Sequence, residues 1–299
     1  MNGFLIIDKP EGFTSHDVVA RCRRILRTKR IGHTGTLDPF ATGVMVIMVG
    51  RATRLARFLD KDAKEYEAMV RFGSETDTGD RTGELRITNY ELRDVSIEEI
   101  ENILPEFRGK IEQTPPMYSA KKVEGKKLYE LARKGIEIER KPVNITIYEL
   151  EVQSSKFKVQ SSDVSIRVLC SAGTYIRTLA EDIGRKLKTG AHLAELRRTR
   201  AGKFDLSKVV TLEKLEEIVI DNRLDDALIS MNEAISHLPK VVLSESDIKK
   251  TQSGIKLKFE SVEIEENQPV RMIDEKENLI AVGFYNAAEK FVQPKIVLV

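Results

Sequence analysis

The chain has 299 residues, 41% hydrophobic and 32% charged, enough for a large core and about two domains. No apolar run is long enough to span a bilayer, and two cysteines and four scattered histidines in no ligand-like spacing exclude a disulfide framework and a structural zinc site. The formal net charge of +2 hides a segregation: residues 21–30 carry Arg21, Arg23, Arg24, Arg27, Lys29 and Arg30 with no acid, residues 185–203 hold seven Lys or Arg against Glu195 alone, and 211–235 are acidic. Local basic surfaces of this kind suit a polyanion such as nucleic acid. The first nine residues turn polar too quickly for a signal peptide, so the expected compartment is the cytoplasm, and a monomer is the default state.

Residues 3–7 form an apolar run ending in Asp8-Lys9-Pro10-Glu11-Gly12, which predicts a strand and a Pro/Gly turn. Thr14 or Ser15 then caps a helix with Val18, Val19, Cys22, Ile25 and Leu26 on one face and the arginines on the other. The next stretch, Gly32-His33-Thr34-Gly35-Thr36-Leu37-Asp38-Pro39-Phe40-Ala41-Thr42-Gly43, concentrates backbone demands around one carboxylate. Its glycines permit positive φ or close approach, while Pro39 pushes Asp38 out of the helical region, so a shaped loop is expected. The spacing matches neither the dinucleotide fingerprint nor the Walker loop. Residues 44–49 read as a strand buried on both sides, which leaves Asp38 in a loop leading into the core, and 51–60 read as a helix.

Tyr66, Ala68, Val70 and Phe72 alternate with polar residues as in a half-buried strand. Residues 73–83 read as a polar connector in which nothing fixes Asp77 and Asp80 as an acid pair. Ser96 to Glu99 is a capping box opening a helix that runs to Phe107. From Gln113 to Lys122 two prolines forbid a regular element, and a Lys-rich amphipathic helix is expected over 126–134, ended by Gly135. Residues 110–141 hold nine basic and five acidic residues, a protruding basic hairpin in which Lys121, Lys122 and Lys126 suit phosphates. Residues 142–152 and 164–170 alternate as strands around a Ser-rich hairpin at 153–162 in which no chemistry is expected.

After Cys170 small residues make a turn, and a helix begins with Ile176, Leu179, Ala180, Ile183 and Leu187 as its apolar stripe. Arg177 falls in its first turn, where the helix dipole disfavours a cation, which points to a carboxylate or phosphate partner. Residues 193–200 read as a strand feeding a basic edge with Arg197, Arg198 and Arg200, and acidic helices follow over 212–230. The composition changes at His237-Leu238-Pro239. Short strands with turns from there to Val299 suggest a small barrel, so the expected domains are 1–236 and 237–299.

The segments Asp8 to Asp17, Gly32 to Pro39, Tyr66 with Gly73 to Thr78, Pro115 to Lys121, Gly173 to Arg177 and Gly190 to Arg198 together resemble the bacterial TruB family of tRNA pseudouridine synthases, and the tail resembles a PUA domain, a small RNA-binding barrel. The resemblance runs in order over nearly the whole chain. Phe40, where the family more usually has leucine, and the Ser-rich hairpin depart from it. It implies an α+β pseudouridine-synthase fold: a mixed, mostly antiparallel sheet flanked by helices, a basic thumb hairpin at 110–141, and a small C-terminal β-barrel. It further implies conversion of uridine 55 in the tRNA T loop to pseudouridine without cofactor or metal. Asp38 matches the catalytic aspartate, whether it attacks ribose or base or removes a sugar proton. Arg177 matches its partner, Tyr66 the tyrosine that stacks on the base, and His33 the histidine that holds the flipped nucleotide; Tyr175 and Leu196 match pocket positions, with Lys9 supporting the pocket floor. Arg24, Lys121, Lys122, Lys126, Arg197 and Arg198 would contact the T-stem-loop backbone, and the tail would grip the acceptor arm. A guide-RNA-dependent synthase and a non-catalytic tRNA-folding chaperone are the competing readings.

Overall fold

Apolar side chains on both faces of the first strands divide the interior into two layers, and the rest of the fold is laid against them. The computed structural model describes residues 1–90, 93–119, 121–123, 125–153, 163–259 and 263–299. In chain order, β1 (Gly3–Lys9), α1 (Ser15–Ile25), β2 (Ile31–His33) and β3 (Thr42–Val49) come first. Phe4, Ile6, Val44, Val46 and Met48 enter one cluster, while Leu5, Ile7, Met45, Ile47 and Val49 enter another that α1 covers with Val18, Val19, Cys22 and Ile25. The start of α1 is a capping box: Thr14 Oγ1 accepts from Asp17 N at 3.1 Å, and Asp17 accepts from Thr14 N at 2.9 Å.

The helix expected over 51–60 is a 3-10 run, Gly50–Phe58. It has no side-chain cap of its own, and the tighter three-residue period keeps Ala52, Leu55 and Phe58 toward the core. β4 (Lys64–Phe72) buries every second residue, as the alternation predicts. A small hairpin, β5 (Glu75–Thr76) with β6 (Leu85–Arg86), and α2 (Ile97–Ile103) precede β7 (Gly109–Gln113). In the basic insertion the expected helix is shorter: β8 (Lys122–Val123) and β9 (Lys126–Lys127) pair around Gly125, and α3 spans only Leu128–Ala132. Gly125 has a positive φ of 81°, and the tight turn there takes Lys122 and Val123 into pairing with Lys127 and Lys126.

β10 (Val143–Val152), β11 (Asp163–Cys170), α4 (Ile176–Lys186) and β12 (Ala191–Ala201) complete the central layer, with β13 (Phe204–Asp205) on its edge. The Ser-rich hairpin, apart from Gln153, lies outside the described residues. The nine-stranded sheet runs β1-β3-β12-β4-β11-β10-β7, with β2 on β3 and β13 on β12. Its pairs are antiparallel except β12 with β3, which meet at Arg197 and Thr42 and at Arg198 and Gly43. Gly43 has φ of 100°, and a Cβ there would lie 2.2 Å from the Arg198 carbonyl oxygen, so glycine alone permits this approach.

α5 (Leu212–Ile220) and α6 (Met231–Ala234) lead to β14 (Lys240–Val242), α7 (Glu245–Gln252), β15 (Leu257–Lys258), β16 (Pro269–Ile273), β17 (Leu279–Asn286) and β18 (Phe291–Val297). These strands form a five-stranded sheet in the order β14-β16-β17-β18-β15. Together the two sheets make the α+β fold that the sequence leads one to expect. The C-terminal sheet has its own cluster around Val270, Met272 and Val292, yet Ile273, Leu279, Val282, Ile296 and Leu298 join the cluster of β1 and β3. Arg51 Nη1 adds a 2.6 Å hydrogen bond to the Leu298 carbonyl.

Because this cluster is continuous, the chain should melt as one cooperative unit. Ile273→Ala, at a fully buried position, should lower stability by about 2–5 kcal/mol and move the whole transition. Calorimetry should show a single endotherm in both proteins; two endotherms in the wild type would contradict the shared core.

Candidate active site

The loop from 34 to 41 has no regular structure, and four elements hold it. At the end of β1, Lys9 Nζ donates to the carbonyl oxygens of Pro10 (2.9 Å), Pro39 (3.1 Å) and Ala41 (2.6 Å). At the start of α1, Ser15 Oγ accepts from Leu37 N at 2.8 Å and donates to Leu37 O at 3.1 Å. From β12, Arg198 donates through Nε to Val44 O (2.7 Å), Nη1 to Thr36 O (3.4 Å) and Nη2 to Gly35 O (3.2 Å). From the first turn of α4, Arg177 reaches Asp38 itself.

That contact is bidentate, with Arg177 Nε 2.9 Å from Asp38 Oδ2 and Nη2 3.3 Å from Oδ1. The Arg177 side chain is 4% exposed and also donates to Thr78 O (2.7 Å) and Tyr118 O (2.6 Å). A second carboxylate shares it: Asp80 Oδ2 lies 3.8 Å from Nη1. Asp80 corrects the reading of 73–83 as a polar connector, for it is buried and tightly built in. Thr78 and Thr82 hydroxyls donate to its Oδ1 at 3.0 and 2.5 Å, and Thr82 N donates at 2.9 Å. Gly79 and Arg81 exchange backbone hydrogen bonds with Leu193 of β12. The local signal was an aspartate bracketed by threonines at both second neighbours, a pattern able to saturate a carboxylate.

Asp38 and Arg177 line two adjoining clefts. One, of about 250 Å³, is walled by Tyr66, Tyr175, Leu196, Lys64 and Arg198; the other, of about 530 Å³, by His16, His33, Tyr129 and Arg133 among others. Tyr66 and Leu196 lie on the same face of neighbouring strands, β4 and β12. Burial raises the Tyr66 phenol above its ordinary pKa, against the positive charge of Arg198 and a hydrogen bond with it. Tyr175 caps no helix end with its side chain; instead Gln113 clamps its backbone, accepting from Tyr175 N at 2.8 Å and donating to Tyr175 O at 3.0 Å. Burial also raises the Tyr175 phenol. His33 stands at the end of β2, where burial, and then the charge of Arg198, lower its imidazole pKa. Burial pulls the Lys9 ammonium down to about 8, against the attraction of Asp38. Burial raises the Asp38 carboxyl as well; Arg177 opposes this, and the nearby Asp80 reinforces it.

The residues expected on an RNA-facing surface separate. Arg24 and Lys126 are exposed and Lys121 is half-buried, whereas the Lys122 side chain lies outside what the structure describes. Arg197 is half-exposed but paired with Asp8, Nη2 to Oδ2 at 2.7 Å and Nη1 to Oδ1 at 3.1 Å. Arg198 does not belong with them. It is 1% exposed and spends its guanidinium on loop carbonyls and Tyr66, because alternate residues of a strand face opposite ways and 198 shares the inward face of Leu196. Among the described residues no cluster of His, Cys, Asp and Glu could hold a metal ion, and no helix is long and apolar enough to cross a membrane.

Residues 23–176 match the TruB family pseudouridylate synthase N-terminal domain, and residues 177–236 the tRNA pseudouridylate synthase B C-terminal domain. The chain is 44% identical over 284 residues to a tRNA pseudouridine synthase B of Geobacillus thermodenitrificans, covering 94% of each chain. It is 45% identical over 254 residues to that of Solibacter usitatus, covering 85% of each. Among solved structures, a Cbf5-Nop10-Gar1 complex superposes with a TM-score of 0.75 at 29% identity, over 99% of this chain and 84% of that one. An H/ACA RNP bound to a substrate RNA containing 2'-deoxyuridine does so at 0.75 and 28%, over 99% and 85%.

The geometry around Asp38 has a measurable signature. Its carboxyl should titrate above the ordinary value of about 3.9, and Arg177→Met should raise it further. A folded value above the unfolded one means that this group favours the fold most at low pH, and that its contribution is lost as pH rises through the folded value. Carbon-13 NMR of aspartate-labelled protein, assigned with Asp38→Asn, reads both. A midpoint at or below about 3.9 in the wild type, or no rise in the variant, would overturn the account.

Proposed function

The chain belongs to the TruB family of pseudouridylate synthases, and we propose that it isomerises uridine 55 of the tRNA T loop to pseudouridine, with Asp38 as the catalytic carboxylate. The observation that carries this reading is the placement of Asp38 between two clefts, gripped by a buried arginine and facing a buried tyrosine. The relatives named tRNA pseudouridine synthase B, 44% and 45% identical over most of their length, support the substrate.

The target uridine leaves its stack and enters the smaller cleft, a cost of a few kcal/mol offset by stacking on aromatic rings. Tyr66 offers the stacking surface and a hydroxyl, Leu196 and Tyr175 close the walls, and His33 holds the displaced nucleotide from the neighbouring cleft. The bond between ring nitrogen 1 and ribose carbon 1′ breaks, the ring turns in place, carbon 5 bonds to carbon 1′, and the proton that carbon 5 loses is matched by one that nitrogen 1 gains. Atoms and electrons balance within substrate and protein, so the reaction calls for no metal or cofactor. Asp38 serves it by attacking ribose or base, or by removing a sugar proton. Arg177 orients the carboxylate and favours its charged form.

On this reading residues 1–236 form the catalytic domain, with the basic hairpin at 110–141 laid along the T-stem-loop through Lys121, Lys122 and Lys126 and with Arg24 and Arg197 as further backbone contacts. Residues 237–299 act as a PUA-like grip on the acceptor arm. The protein works as a cytoplasmic monomer on free tRNA, which sets it apart from a guide-RNA-dependent synthase.

Wild type should release tritium from a bare T-stem-loop labelled at uracil carbon 5, and Asp38→Asn should release it about 10⁴-fold more slowly or worse while still binding. Binding without release by the wild type would leave a tRNA-folding chaperone as the better reading. Lys121→Ala and Lys126→Ala should each flatten the salt dependence of RNA affinity by about one unit of slope. Unchanged slopes in both would take the hairpin off the RNA.

A further inference from the structure

Three cations are buried around the Asp38 loop, Lys9 (0% exposed), Lys64 (7%) and Arg198 (1%), and none forms an ion pair with a described residue. Folded proteins rarely bury charge without an opposite charge, because desolvation is costly. Lys9 and Arg198 are accounted for by the carbonyls they hold. Lys64 is only partly accounted for. Its Nζ donates to the carbonyl oxygens of Asp60 (3.3 Å) and Asp62 (2.8 Å), which occupies two of the three donors of an ammonium.

The same side chain lines the cleft that holds Asp38 and Tyr66. It stands two residues before Tyr66 on β4 and therefore on the same face of the strand. Gly35 of the catalytic loop lies between the two cations of this wall, since a Cβ there would be 3.4 Å from both Lys64 Cε and Arg198 Nη1. Around the cleft, four buried cations, Lys9, Lys64, Arg177 and Arg198, face the carboxylates Asp38 and Asp80, with the exposed Asp60 at the rim. Burial, and then the charge of Arg198, weaken the hold of Lys64 on its proton, so the wall favours an arriving negative charge. A backbone phosphate is the less suitable occupant, because Lys64 lies on the inner wall beside Tyr66 and is almost wholly buried.

We propose that Lys64 is a catalytic residue whose ammonium donates to a carbonyl oxygen of the target uracil and stabilises the negative charge that the ring gains when it separates from ribose. The inference rests on the synthase reading above. When the bond from nitrogen 1 to carbon 1′ breaks, its electron pair leaves with the ring and spreads onto oxygens 2 and 4, while carbon 1′ becomes electron-deficient. When carbon 5 bonds to carbon 1′, the ring supplies that pair, which restores neutrality; carbon 5 then loses its proton and nitrogen 1 gains one. The stabilising donor is needed only between these events, so it acts on the rate and not on RNA affinity.

The test is single-turnover loss of the target nucleoside from T-stem-loops bearing uridine or 5-fluorouridine, the latter keeping its fluorine once carbon 5 has bonded to carbon 1′, read by chromatography of the digested nucleosides, with RNA affinity measured separately. Lys64→Met should slow uridine conversion by roughly 10²–10³-fold at saturating enzyme, with affinity unchanged. Fluorine stabilises the ring anion without help, so the defect should shrink at least tenfold on 5-fluorouridine. An equal defect on both substrates, or a loss confined to affinity, would make Lys64 a structural anchor and overturn the proposal. Lys64→Gln gives the same reading should the Met variant not fold. A wild type inactive on both substrates would instead overturn the synthase reading.

Discussion

Backbone carbonyls standing in for carboxylates are the constraint from which the site follows. The loop at 34–41 forms no ladder of its own, so its carbonyl oxygens need donors, and the buried Lys9 and Arg198 supply them. The exchange runs in both directions. Without these cations the carbonyls of Gly35, Thr36 and Ala41 would be short of partners, and without the carbonyls the cations would be buried charges in need of counter-ions. Loop shape and cation placement are therefore one property. Lys9 arrives with β1 and Arg198 with β12, the two strands that flank β3, so the register of the sheet sets the position of Asp38.

The same economy governs Arg177. Its guanidinium is divided among Asp38, Asp80 and the carbonyls of Thr78 and Tyr118, which joins the Asp38 loop, the connector after β4 and the root of the basic hairpin at one buried group. A cation in the first turn of α4 opposes the helix dipole, and two carboxylates at its head outweigh that effect. The chain's small net charge says nothing of this. What matters is that positive charge is gathered and desolvated at one place, where a given charge acts more strongly than it would in water.

Much of this was legible in the sequence where a short-range rule had a single physical cause. Strand alternation, the capping boxes at Thr14 and Ser96, and the unusual position of Arg177 each follow from local chemistry. Asp38 was legible because Gly35, Pro39 and Gly43 restrict the backbone on either side of it. Asp80 was not, since its burial depends on the pairing of residues 79–81 with Leu193, more than a hundred positions away. Arg198 was misassigned although the information was present: with Leu196 facing the pocket, the period of two already placed Arg198 inward and Arg197 outward. Three neighbouring basic residues look like one patch only while the strand beneath them is ignored.

The C-terminal sheet extends the principle from the loop to the whole molecule. Ile273, Leu279, Val282 and Leu298 belong to the cluster that supports β3, and Arg51 ties the 3-10 run after β3 to the carbonyl of Leu298. The second sheet is thus part of the foundation of the strand that begins where the Asp38 loop ends. Movement of one sheet against the other would have to open a close-packed apolar layer, which costs far more than adjusting a linker. On the proposed function, deformation consequently falls to the RNA: the protein offers a fixed distance between its two sheets and a preformed cleft, and the nucleic acid unstacks a base to meet them. The desolvation of Lys9, Lys64, Arg177 and Arg198 has then already been met during folding, and no reorganisation of these charges is left for the moment of bond cleavage.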